Sequence, residues 1–142
     1  MLLGEYECRL DQKGRLAIPA KLRQEFLDGI VLTRGFDTCI VAYPVHEWNN
    51  VCKDFAEIPS ITQEKNRRLI RFIFSSAFRD ELDAQGRILL PPPLRQYAQI
   101  KDTSIITGNN KYLEIWGKDL WEKEQALMGE IAWELAERTD LR

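Results

Sequence analysis

Asp11, Gly14 and Arg15 form a D-x-x-G-R group, and the same group returns at Asp83, Gly86 and Arg87. An aspartate ahead of a tight turn accepts from backbone amides, and a glycine supplies the positive φ that such a turn requires. Turn building alone therefore explains those two positions. It does not explain the arginines, because nothing in strand pairing or turn chemistry asks for a long cation just past a hairpin tip. A guanidinium fork bonds guanine edges or phosphates at two points at once, which an ammonium does less well. The chemistry these residues could do is thus anion or base recognition, with the carboxylate four residues back holding the fork.

The charge around the two groups differs. Between Arg9 and Arg23 the chain carries Arg9, Lys13, Arg15, Lys21 and Arg23 against the single acid Asp11, whereas between Glu81 and Arg95 two cations face two acids. Local potential, more than total charge, is what a phosphate backbone feels. A net charge of -2 for the whole chain is therefore compatible with a polyanionic partner. On this reading Arg15 is the functional arginine, and Arg87 more nearly a salt-bridge partner of Asp83.

Catalysis by Asp11 and Asp83 as paired carboxylates, with His46 or Cys8 assisting, is the competing chemistry. Each aspartate has a cation four residues away, which favours the ionised form instead of tuning it for proton transfer. No nucleophile motif, phosphate loop or metal cluster accompanies them, so no enzyme, cofactor or small-molecule substrate is expected. Three cysteines, Cys8, Cys39 and Cys52, without C-x-x-C spacing and with one histidine in the chain, argue against a zinc site or a disulfide framework. No apolar run reaches the roughly 20 residues of a membrane span, and no signal-like start is present. A cytoplasmic protein is expected.

The elements that must position the two groups follow from a repeat. Leu10–Gln24 (LDQKGRLAIPAKLRQ) returns as Leu82–Gln96 (LDAQGRILLPPPLRQ), with eight identities in fifteen positions and no gap. Such a period makes the fold a question of how two like units share a core. Each unit alone is small enough to bury a poor fraction of its surface. In the first unit, Tyr6, Cys8 and Leu10 alternate with Glu7, Arg9 and Asp11, the pattern of a half-buried strand. Gln12-Lys13-Gly14 reads as a hairpin turn, Arg15–Ile18 as the returning strand, and Pro19–Phe26 as a short helix led by proline. Ile30–Thr33 and Thr38–Tyr43 then flank a second hairpin turn at residues 34–37.

The second unit repeats the order. Strands are expected at Phe78–Asp83 and Arg87–Leu90, a short helix to Ala98, and a second hairpin from Ser104–Thr107 and Tyr112–Trp116. A helix follows each unit, at residues 44–57 and 117–138, and residues 62–74 form another between them, with Leu69, Ile70, Ile73 and Phe74 as its apolar stripe. Its Arg67, Arg68 and Arg71 read as a solvated face or as salt-bridge partners. The expected organisation is a first unit at 5–47, connecting helices at 48–76, a second unit at 77–119 and a C-terminal helix at 120–142.

On these residues, from LLGEYECRLDQKGRLAIPAKLR through RGFDTCIVAYP to DAQGRILLPPPLR and LEIWGKDLW, the chain resembles the MraZ family, bacterial regulators built from two AbrB-like (SpoVT-AbrB) half-barrels. The resemblance covers nearly the whole chain. It implies an α+β fold in which two β-β-α-β-β half-barrels form one swapped-hairpin barrel with flanking helices. It implies a sequence-specific, DNA-binding transcriptional regulator of the division and cell-wall gene cluster, including its own promoter, acting at the nucleoid. A ring-shaped homo-oligomer engaging repeated short boxes in double-stranded DNA is the implied assembly. The D-x-x-x-R elements map to Asp11 and Arg15 and to Asp83 and Arg87; Arg15 becomes the candidate for base readout, and Lys13, Lys21 and Arg23 for phosphate contacts. Ala20 and Lys21 become Pro92 and Pro93 in the second unit, which weakens the case for that box.

A second implied reading is a protein-interaction module of the antitoxin type. Leu120, Trp121, Leu127, Ile131, Trp133 and Leu135 give the C-terminal helix more apolar surface than one stripe needs. Packing on the chain's own sheet or on a neighbouring subunit accounts for it as well.

Overall fold

The computed structural model describes residues Met1–Thr139. Eight strands and four α-helices alternate along them: β1 (Glu5–Arg9), β2 (Arg15–Ala17), β3 (Ile30–Arg34), β4 (Ile40–Pro44), α1 (Val45–Ala56), α2 (Glu64–Phe74), β5 (Phe78–Asp80), β6 (Arg87–Leu89), α3 (Pro92–Tyr97), β7 (Thr103–Gly108), β8 (Leu113–Gly117) and α4 (Lys118–Thr139). A short 3₁₀-helix, Ala20–Phe26, stands where α3 stands in the second repeat. Both are entered from a proline in extended conformation, Pro19 and Pro91. The C-terminal helix expected to reach residue 142 is described to Thr139, and residues 140–142 lie outside the described residues.

The fold is α+β, with antiparallel sheets. Strand partners are where the sequence reading needs correction. β1 and β2 were expected to pair as a hairpin across Gln12-Lys13-Gly14. The turn is there, closed by Gly14 N–H donating to Asp11 O at 3.0 Å and Asp11 N–H to Arg15 O at 2.9 Å. Beyond it the two strands part. β1 pairs with β7 of the second repeat, from Glu5 opposite Thr107 to Arg9 opposite Thr103. β2 pairs with β6, the equivalent strand of the second repeat. β5 likewise leaves its own repeat and pairs with β3. Period-2 alternation fixes which side chains share a face but not which strand lies alongside.

The second hairpin of each repeat is formed as the sequence indicates, β3 with β4 and β7 with β8. The result is a six-stranded sheet ordered β1-β7-β8-β4-β3-β5 and a separate two-stranded ribbon, β2-β6. The six-stranded order ends at β1 and β5, so its hydrogen bonding does not close into a barrel.

Equivalent residues of the two repeats meet in the core. Leu16 and Ile88 are paired across the ribbon and almost wholly buried, and Ile18 and Leu90, just beyond its ends, are buried too. Leu22 and Leu94 bring the short helices onto the same cluster. Burying one such side chain contributes roughly 1.5–3 kcal/mol, so six of them tie the ribbon firmly to the sheet. A second cluster, with Cys39, Val41, Ile105, Trp116 and Trp121, seats the start of α4 on the opposite face of the sheet. Among the described residues no helix is long and apolar enough to cross a membrane.

Candidate nucleic-acid interface

The ribbon shows alternate residues to the two sides. Leu16 and Ile88 point inward, while Arg15, Ala17, Arg87 and Leu89 form the outer face. Register sets Arg15 opposite Leu89 and Arg87 opposite Ala17. The two arginines are therefore diagonal across a surface only three residue pairs long, and they come from repeats 72 positions apart.

Each arginine is held by its own aspartate in the same way. Asp11 Oδ1 accepts from the backbone N–H of Lys13 and of Arg15, both at 2.9 Å, and Oδ2 accepts from Arg15 Nε at 2.7 Å. Asp83 Oδ1 accepts from the N–H of Gln85 and of Arg87, both at 2.9 Å, and Oδ2 from Arg87 Nε at 2.9 Å. One oxygen thus shapes the turn and the other orients the guanidinium. With Nε engaged by the carboxylate, the terminal nitrogens are the part of each fork not bonded to its own aspartate. Arg87 Nη1 also lies 3.8 Å from Asp11 Oδ2, a contact between repeats. The amide of Arg15 in the first case and of Arg87 in the second, with each guanidinium, holds these carboxyls below the usual carboxylate range against partial desolvation. Both are ionised at neutral pH.

The turns themselves are locked by exchanged arginines. Gly14 (φ +79) and Gly86 (φ +74) adopt the left-handed conformation, and both are buried. Arg23, from the helix of the first repeat, lies directly over Gly86 of the second, its Nε donating to Ile18 O at 2.7 Å. Arg95, from the second repeat, lies over Gly14 of the first, where a Cβ would stand 3.2 Å from its Cζ. Backbone bonds reinforce the exchange: Ile18 N–H donates to Gly86 O at 2.8 Å, and Leu90 N–H to Gly14 O at 3.0 Å. A side chain on either glycine would push on the opposite arginine.

The candidates named from sequence thus separate. Asp11, Arg15, Asp83 and Arg87 come together on the ribbon. Lys13 sits exposed at the first turn, where the second has Gln85, and Lys21 is exposed on the 3₁₀-helix. Arg23 is half-buried against the other repeat's turn, in a scaffold position. Arg9 stands on the β1 face that also carries Glu5 and Glu7. Arg95 was missed; its identity with Arg23 in the repeat was the signal that both do one job. Outside the ribbon, Arg67 donates to the carbonyls of Ser60 and Ile61, and Arg68 pairs with Glu64 at 2.7 Å. His46 is exposed beside Glu47. No group of three or more His, Cys, Asp or Glu side chains placed to hold a metal occurs among the described residues.

Comparison with known proteins gives this geometry its family. The family described as "MraZ protein, putative antitoxin-like" matches the chain over residues 1–71 and 73–142, one match per repeat. A transcriptional regulator MraZ of Herpetosiphon aurantiacus is 48% identical over 122 residues, covering 86% of this chain and 85% of its own. The protein of the same name from a Roseiflexus species is 44% identical, covering 90% and 89%. That from Dehalococcoides mccartyi is 42% identical over 138 residues, 96% of each chain.

Proposed function

The chain belongs to the MraZ family, and from that premise we propose that it is a transcriptional regulator that binds double-stranded promoter DNA through the outer face of the β2-β6 ribbon. Family and relatives are those of regulators of transcription, and the chain is not an enzyme. The observation that carries the DNA reading is the pair of aspartate-oriented arginine forks, one from each repeat, side by side on a two-stranded ribbon. A two-stranded ribbon is one of the two shapes that the major groove of B-DNA admits, and Arg bidentate to guanine O6 and N7 is the commonest specific contact there.

In this reading Arg15 contacts a base edge, and Lys13 and Lys21 contact phosphate, which adds affinity without reading sequence. Arg87 makes the weaker second contact, and Asp11 and Asp83 orient the forks. Arg23, with Arg95, holds the turns in register and touches DNA little. Interlocked strands from two AbrB-like halves make a single chain present both boxes together. Ring-shaped homo-oligomers would then set several ribbons against repeated short boxes near one helical turn apart, and linking such contacts raises avidity by about 10²–10⁴. The expected targets are the promoters of the division and cell-wall gene cluster, its own included, at the nucleoid of the cytoplasm.

Selection of bound sequences from random duplex DNA, followed by mobility shifts at fixed salt, tests the proposal. Enrichment of a short guanine-containing box that Arg15→Ala no longer distinguishes from random DNA is the expected result. No enrichment over the input pool would overturn it. The antitoxin-like protein-interaction reading keeps one observation in its favour. Beyond its first turns α4 leaves Leu127, Ile131 and Trp133 exposed. A protein captured on that helix that competes with DNA would favour it.

A further inference from the structure

The face of the sheet opposite the main core carries an acidic, aromatic-walled cavity that the DNA reading does not use. Glu5, Thr107 and Glu114 stand in one cross-strand row, since Thr107 is the register partner of Glu5 on β1 and of Glu114 on β8. Above that row lies α4, which turns Trp121, Glu124 and Met128 toward it at spacings of three and four. Asp37, from the β3-β4 turn, and Trp116 complete the wall. The volume of this open cleft is about 350 Å³, within the range of small-molecule sites.

Its electrostatics are one-sided. Glu5, Asp37, Glu114 and Glu124 all line it, and among the described residues none of the four is in an ion pair. Among the described residues their side-chain donors are weak or neutral: Trp116 Nε1 to Glu114 at 3.3 Å, Cys39 Sγ to Glu114 at 3.6 Å, and Gln125 Nε2 to Glu5 at 3.1 Å. Burial first, then Glu114, Asp37 and Glu124, drive the Cys39 thiol up, a local sign of how closely these carboxylates gather. Like charges around one cavity repel, and among the described residues no cation is paired with them.

A second, independent feature points to a ligand. Thr107 is 7% exposed, stands in the row on the cavity side of the sheet, and its Oγ1 has no hydrogen-bond partner. A buried hydroxyl between two carboxylates is an acceptor for an ammonium N–H. The tryptophan rings, tilted at 53° with centroids 5.5 Å apart, form an apolar part of the wall against which an aliphatic stem can lie. Among the described residues no group of three or more His, Cys, Asp or Glu side chains is placed to hold a metal ion. A ligand with several charges along an apolar chain matches the carboxylates better than a single lysine side chain could.

We infer that the cavity between α4 and the β1-β7-β8 end of the sheet binds an aliphatic polyamine, its ammonium groups on Glu5, Glu114, Glu124 and the Thr107 hydroxyl and its methylenes along Trp116 and Trp121. Calorimetric titration of the full chain with spermidine at fixed ionic strength, followed in parallel by indole fluorescence, tests it. Saturable binding of one spermidine per chain is expected, weakened about tenfold or more by Glu124→Gln and by Thr107→Val, since a hydrogen bond to a charged group is worth that much. Glu134→Gln, farther along the same helix and paired with Arg138, should leave binding unchanged. Glu124 is only partly buried, so its variant reports on the site without disturbing the core. No saturable binding, equal affinity in Glu124→Gln and Glu134→Gln, or equally tight binding of Nα-acetyl-lysine methylamide would each overturn the assignment, the last in favour of a lysine from another chain.

Discussion

The two turns of the ribbon have nearly the same backbone and different surfaces. Asp11 and Asp83 accept the same three hydrogen bonds, Gly14 and Gly86 share one conformation, and each is covered by an arginine from the other repeat. On the surface the likeness ends: Lys13 at the first tip has Gln85 as its counterpart, and Lys21 on the 3₁₀-helix has Pro93 on α3. Geometry that closes the fold is kept twice, because each turn supports the other. Charge that would meet an anion is concentrated on one.

Arg15→Ala against Arg87→Ala puts the largest expected effect on this comparison. Loss of a bidentate base contact is worth about 1–3 kcal/mol, so Arg15→Ala should lower specific affinity by roughly 10- to 100-fold, and Arg87→Ala by less. Mobility shifts on one operator at one salt concentration decide, and equal losses would break the asymmetry. Arg15→Lys should retain non-specific binding while losing discrimination, because the charge survives and the fork does not.

Stability should reverse the order of the turns. Alanine at either glycine carries the strain of a left-handed residue, about 1–2 kcal/mol. At Gly86 the new Cβ must also displace the middle of the Arg23 side chain, whereas at Gly14 it meets the guanidinium of Arg95 at 3.2 Å, which that flexible end can relieve by moving a few tenths of an ångström. Urea unfolding should therefore find Gly86→Ala the less stable variant. The reverse order would mean that Arg23 swings away freely.

Acid titration should find the two turns alike. Both aspartates titrate below their unfolded value, so their contribution is complete above the unfolded pKa of about 3.9 and is lost as pH falls through the lower folded values. Thermal melts between pH 5 and 8 should show no effect from this source. Below pH 4 the wild type should lose stability more steeply than Asp11→Asn or Asp83→Asn, by similar amounts for the two variants.

Salt dependence carries the smallest effect. Removing one phosphate contact with Lys13→Gln should reduce the slope of log affinity against log salt by about 0.9. Gln85→Lys should raise it by as much if the second tip also faces DNA. An unchanged slope in Gln85→Lys sharpens the asymmetry to a single working edge.

Much of this was legible in the sequence, and for stated reasons. Turns at Gly14 and Gly86 followed from residue type, strand faces from alternation, and the second hairpins from β-branched runs around residues 34–37 and 108–110. Strand partners did not follow, because Tyr6, Cys8 and Leu10 declare a buried face without declaring whether β2 or β7 lies alongside. The place of Arg23 was equally hidden: a cation in a basic stretch reads as solvent-facing, and only the tertiary approach of Gly86 shows what it covers. The acidic cavity draws Glu5, Asp37, Thr107, Glu114 and Glu124 from five separate elements, so no local pattern announces it.

The pairing of β1 with β7 has a consequence for how the chain is made. Glu5 leaves the ribosome about a hundred residues before Thr107, its partner. At synthesis rates of about 5–20 residues per second, that strand waits roughly 5–20 s with its edge unpaired. β2 waits in the same way for β6. During that interval the first repeat holds half of a shared sheet, and whatever shields its bare strands in the cell decides how much protein survives to bind anything.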